Sequence, residues 1–113
     1  MRKVSIPFAV NRIAQAAGIA AMAAQDELMA RCREVTEERP RVHAALVEMG
    51  YEVPESQANF VWLPLGARTD EFNEHCLDQK VVIRAFTGEG ARATIGSPAE
   101  NDAFLAAART FPL

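Results

Sequence analysis

The hydrophobic period of this chain changes at Gly50, and that change restricts the fold more than any other feature. Before Gly50 the apolar residues recur at helical spacing; after it they fall into short β-prone runs between turn residues. Asn11–Ala24 is dense in alanine, with Ile13, Ala16, Ala17, Ala20 and Ala24 on one stripe and Asn11 as N-cap. Such a stripe either packs on its own domain or awaits a second domain or subunit. A second helix is expected from about Asp26 to Met49, with Leu28, Cys32, Val35, Val42, Leu46 and Met49 on its apolar side. Pro40 should kink or break it near Arg39, and Gly50 suits its C-cap.

Three strands and two further helices follow. Ala58–Leu63 reads as a buried strand between Pro54 and Pro64. Thr69–Gln79 reads as a short helix with Phe72, Cys76 and Leu77 inward. Val81–Ala85 and Ala91–Ile95 read as strands joined through the turn Thr87-Gly88-Glu89-Gly90, close enough to form a hairpin. Ser97-Pro98-Ala99-Glu100 is a capping box with proline at the first helical position. It opens a helix carrying Phe104, Leu105 and Ala108 and ending before Pro112. The order α-α-β-α-β-β-α implies an α/β (α+β) domain over residues 1–113, a small mixed three-stranded sheet covered by helices.

At 113 residues a single core is expected, large enough to need neither metal nor disulfide. Twelve basic against fifteen acidic residues leave a net charge of −3, which argues against a general nucleic-acid binder. No apolar run is long enough for a membrane span. Met1–Arg12 is not of export-signal type, so a cytoplasmic location is expected. Cys32 and Cys76 lack metal-ligand spacing and read as two reduced thiols.

Few residues point to chemistry. His43 and His75 have no partner at catalytic or ligand spacing, and Gly88-Glu89-Gly90 lacks the context of a phosphate loop. Arg84 and Arg92 differ, because each interrupts an apolar strand, where a cation is costly without an anion. With an odd hairpin loop the two would face each other on one side of the sheet, an unfavourable pairing. Such a pair makes a good receptor for a carboxylate or phosphate. The alternative is that each extends to solvent or pairs with a glutamate such as Glu89.

A longer pattern runs through the chain. Val4–Asn11 with Ala14–Ala17, Ser56-Gln57-Ala58-Asn59-Phe60-Val61, Val82-Ile83-Arg84 and Gly90–Asn101 occur in this order. Together they resemble the carboxyl-terminal small domain of class I/II, fold-type-I aminotransferases dependent on pyridoxal 5'-phosphate. Within that family the likeness is to the histidinol-phosphate and aromatic (phenylalanine-type) aminotransferase group. It covers essentially the whole chain, and the G-x-R-x-T-I-G-x-P-x-E-N block is its most specific part.

The resemblance implies that Arg92 holds the substrate α-carboxylate. It also implies that Arg84, nearby, assists with the carboxylate or, for histidinol phosphate, the phosphate. It implies transamination between an aromatic amino acid or histidinol phosphate and a 2-oxo acid by a homodimeric full-length enzyme. Asn59 and Phe60 match the family's S-x-A-N-[FY] strand as positioning and core residues. The cofactor lysine and phosphate cup belong to a large domain in that family. Neither Lys3 nor Lys80 has the setting of that lysine, so this chain alone is expected to be inactive and not to bind the cofactor. From another class, the competing reading is a non-catalytic α/β module that binds an anion or dimerises.

Overall fold

The computed structural model describes residues 10–113; Lys3, Phe8 and the Val4–Ala9 part of the family pattern lie outside the described residues. The chain divides into two compact units, Met1–Cys32 and Arg33–Leu113.

In the first unit, helix α1 (Arg12–Ala23) starts at Asn11, whose side-chain oxygen accepts from the Ala14 N–H at 2.8 Å. This is the expected cap. Helix α2 (Gln25–Glu48) begins just past Ala24. No residue of α1 is buried, and Ile13 is 82% exposed. Leu28 and Cys32, expected on the covered side of α2, are exposed.

The second unit holds the remainder of α2, then β1 (Phe60–Leu63), one 3-10 turn (Gly66–Arg68) and α3 (Thr69–Asp78). After these come β2 (Arg84–Phe86), β3 (Gly90–Thr94) and α4 (Pro98–Thr110). The expected break at Pro40 does not occur, for α2 is continuous through it. Proline removes one ladder donor, but the turns after it are fixed by packing, since Val42 and Leu46 are fully buried. Arg39 adds a bond to the Ala58 carbonyl at 2.9 Å. Tertiary contacts of this kind outweigh one lost helical bond. The helix ends at Gly50, with φ 97°; the Gly50 N–H reaches the Val47 carbonyl and the Tyr51 N–H the Leu46 carbonyl. That pair of bonds is a Schellman close, which a residue with a Cβ would strain.

The three-stranded sheet has the order β1-β3-β2 and is antiparallel at both pairings. The expected mixture of strand directions is therefore absent. The crossover through α3 does leave β1 and β2 running the same way, but β3 slots between them and opposes both. Two strands also begin later than expected. β1 starts at Phe60, and β2 pairs only from Arg84, so Val81–Ile83 stay outside the ladder. Val82 is 84% exposed; its β-propensity was satisfied by no partner strand.

One face of the sheet makes the core. Val61, Leu63, Ala91 and Ala93 point to it and meet Phe72 and Cys76 of α3, Phe104, Leu105 and Ala108 of α4, and Val42 and Leu46 of α2. Leu77 lies outside, half-exposed. The small alanines of β3 leave room for the bulky helical side chains. The Tyr51 hydroxyl donates to the Ala108 carbonyl at 2.7 Å, which answers its polar end inside an apolar layer. The capping box of α4 is complete: Ser97 Oγ accepts from the Glu100 N–H and Glu100 Oε2 accepts from the Ser97 N–H.

Candidate functional site

The other face of the sheet is not covered by the helices of this unit, and it carries both arginines. β2 and β3 are joined by the three residues Thr87-Gly88-Glu89, with Phe86 paired to Gly90. Glu89 N–H donates to the Phe86 carbonyl at 2.9 Å and Gly88 has φ 78°. A positive φ at the third position of that turn is the reason for glycine there. The loop is odd, so Arg84 stands directly opposite Arg92. Trp62 of β1 is the next residue in the same row. The face is completed by Phe60, Phe86, Gly90 and Thr94.

Neither arginine is neutralised. Among the described residues no carboxylate forms an ion pair with Arg84 or Arg92, Glu89 included. Each guanidinium instead lies against a ring: Arg92 Cζ is 5.4 Å from the Phe60 centroid and Arg84 Cζ is 5.1 Å from that of Phe86. Phe86 is in turn in edge contact with Trp62, centroids 5.6 Å apart. Arg92 Nε is buried and has no hydrogen-bond partner among the described residues. A buried N–H left without an acceptor costs on the order of 1–3 kcal/mol, and such orphans in a native fold call for an explanation.

Gly90 makes the arrangement possible. A Cβ there would lie 2.3 Å from the Leu63 carbonyl oxygen and 2.6 Å from the Trp62 ring. The indole occupies the space that a side chain would take.

The strand carrying Arg92 is tied down at its exit. The buried carboxamide of Asn101 accepts from the Gly96 N–H at 2.9 Å and donates to the Gly96 carbonyl at 3.0 Å. Its second amide bond runs to Glu38 at 2.8 Å. Glu38 also receives both Arg41 Nε and Nη2, and Arg41 bridges on to Asp102 at 2.8 Å. Arg41 first, then Asn101, holds the Glu38 carboxyl below its ordinary range. Sequence reading placed no weight on Glu38 or Arg41. Only their distance from Asn101 in the chain, bridged by folding, brings them together.

Both histidines are engaged by backbone or hydroxyl partners. His43 Nε2 bonds the Val53 carbonyl at 2.9 Å, and His75 Nε2 meets the Ala107 carbonyl and Thr110 Oγ1, each at 3.0 Å. Among the described residues no group of His, Cys, Asp or Glu is placed to hold a metal. Cys32 is exposed, Cys76 is buried, and neither is in a disulfide.

The described residues do not form a pyridoxal phosphate site. Lys80, the one lysine among them, is exposed at φ 62° beyond α3. It borders a cleft of about 480 Å³ whose wall is mostly apolar, from Val81–Ile83 to Ala103 and Phe104. The one carboxylate in that wall, Glu100, is committed to the Ser97 cap. No arginine lines it to grip a phosphate. A second cleft of about 230 Å³ includes Arg39, His43, Ser56 and Gln57. There Arg39 and His43 spend hydrogen bonds on the segment leading into β1.

No helix among the described residues is long and apolar enough to cross a membrane. Comparison with known proteins gives a consistent result. The aminotransferase class I and II family matches residues 1–107. An aromatic amino acid aminotransferase of Thermobifida fusca (strain YX) is 51% identical over 112 residues, 99% of this chain and 31% of that protein. Its counterpart in Mycolicibacterium paratuberculosis (strain ATCC BAA-968 / K-10) is 54% identical over 103 residues, covering 91% and 29%. The chain thus spans about 30% of the length of these curated relatives. Among solved structures, a candidate aminotransferase from Burkholderia pseudomallei K96243 superposes with a TM-score of 0.72 at 27% identity, over 78% of this chain and 28% of that one. With the family match running across nearly its whole length, and a fold to go with it, this chain belongs to the class I and II aminotransferases.

Proposed function

We infer that this chain is the small C-terminal domain of a pyridoxal-phosphate-dependent aminotransferase and that its part in the reaction is to grip the substrate carboxylate. The observation carrying this reading is the facing pair Arg84 and Arg92, charged, free of carboxylate partners among the described residues, and set on the uncovered face. Arg92 takes the α-carboxylate. Its Nε is buried, so the grip falls to the terminal Nη groups of the fork. Arg84, more exposed, adds a second positive charge beside it.

No catalytic residue is assigned to the described residues, and the cofactor is held elsewhere in the whole protein. This domain binds and orients. Fixing the carboxylate sets where the rest of the substrate lies relative to the reacting centre. The relatives' names favour an aromatic amino acid over histidinol phosphate as donor, and we take a 2-oxo acid as the acceptor. We read the whole protein as a cytoplasmic homodimer, with neither nucleic acid nor membrane as partner.

Arg92→Ala and Arg92→Lys in the complete protein test the assignment. Lysine keeps the charge but loses the planar two-point grip. Each should lose about 2–4 kcal/mol of transition-state stabilisation, roughly thirty- to a thousand-fold in kcat/KM with an aromatic amino acid. Retention of kcat/KM within about threefold by Arg92→Ala would show that the carboxylate binds elsewhere.

A further inference from the structure

We propose that Phe60 and Phe86 are positioning residues, each ring holding one receptor guanidinium in place without using any of its N–H donors. The proposal rests on the reading of Arg92 and Arg84 as a carboxylate receptor. An arginine can be fixed on a strand by a carboxylate or by an aromatic face. A carboxylate would neutralise the charge and occupy one edge of the fork, leaving less for a ligand. A ring orients the guanidinium plane through the electrostatic attraction of its face and takes up none of its N–H donors.

This face uses the second device twice. Phe60 lies under Arg92 and Phe86 under Arg84, at 5.4 and 5.1 Å. The rings are not there for the core. Phe60, Trp62 and Phe86 all point away from it, and none belongs to the buried cluster. Yet they are three of the eight aromatic residues of the chain (one Trp, one Tyr, six Phe). Trp62 braces Phe86 edge-on at 5.6 Å, and Gly90 leaves the indole room to do so. Like-charged guanidiniums facing across a ladder repel and would swing apart. The two rings sit at opposite corners of the face, Phe60 beside Thr94 and Phe86 beside Gly90, so each holds its guanidinium on its own side of the shared row and fixes the separation of the two charges.

The test uses the complete protein, ¹⁵N-labelled at arginine, with phenylpyruvate as the probe and the Arg92 Nε–H resonance as the readout. In the wild type that resonance should be rigid and should shift on titration. Phe60→Leu should weaken the affinity roughly three- to thirty-fold. It should also make Arg92 Nε mobile while the backbone amide spectrum and Tm hold. Phe60→Tyr, which restores the ring, should bring the affinity back to within about twofold of wild type. Should the leucine variant not fold, Phe60→Ile, better suited to a strand, takes its place. Wild-type affinity with a rigid Arg92 in Phe60→Leu would overturn the positioning role and leave the receptor intact. A wild-type chain whose Arg92 resonance ignores phenylpyruvate would overturn the receptor reading, and the positioning role with it.

Discussion

Replacing Asn101 should loosen the exit of the Arg92 strand and cost the fold a measurable part of its stability. The carboxamide is 2% exposed and makes two bonds to the backbone of Gly96, one as acceptor and one as donor. Neutral hydrogen bonds of this kind contribute about 1 kcal/mol each, and more when their loss strands a buried partner. Asn101→Ala should therefore destabilise by about 2–3 kcal/mol, before anything is counted for the bond to Glu38. For a unit of this size that lowers Tm by roughly 8–24 °C. Fluorescence of Trp62, the one tryptophan, follows the unfolding of the residue 33–113 unit. Asn101→Asp separates the parts of the argument. Its carboxylate can still accept from the Gly96 N–H, but it has no donor for the Gly96 carbonyl or for Glu38, and it faces the Glu38 charge. Burial and that charge raise the folded pKa of the added carboxyl above its unfolded value. A raised pKa means stability present at low pH and lost as pH rises through it. The deficit of Asn101→Asp should thus shrink on going from pH 7 towards pH 4, whereas an uncharged defect would not respond in that way. A Tm for Asn101→Ala within 2 °C of wild type would refute the claim that this side chain holds the β3–α4 turn.

Gly90→Ala should be worse than an ordinary strand substitution, because the obstacle is a backbone oxygen at 2.3 Å that cannot swing aside. We expect a loss on the order of 3 kcal/mol in urea unfolding together with a red shift of Trp62 emission; unchanged emission and midpoint would dispose of the tight-seat argument. Acid stability follows Glu38 and Glu100, both held below the usual carboxylate range, Glu38 by Arg41 and Glu100 by the Ser97 backbone N–H. A lowered folded pKa gives stability that is present above the unfolded value and lost as pH falls through the folded one. The wild type should therefore lose Tm on acidification below about pH 4.5 more steeply than Glu38→Gln, and equal slopes would contradict it.

The local elements are legible in the sequence because their signals are local. The Ser97–Glu100 box, the Asn11 cap and the Gly50 stop each depend on residues within one turn of helix, so a sequence window contains the whole cause. The facing arginines were legible for a similar reason. Once a hairpin loop is odd, strand alternation places Arg84 opposite Arg92. What proline does at residue 40 was not legible, since the answer lies in the burial of Val42 and Leu46 against strands and helices far along the chain. Nor could the order β1-β3-β2 be read off: it turns on which strand of the hairpin pairs with β1, a choice made in the packed domain rather than within any sequence window. The polar bridge from Arg41 through Glu38 to Asn101 joins residues some sixty positions apart, with no periodicity to announce it. The same holds for the rings beneath the guanidiniums. Phe60 looks like any strand phenylalanine until the sheet is assembled, and only then does one of its faces turn out to lie under Arg92 rather than in the core.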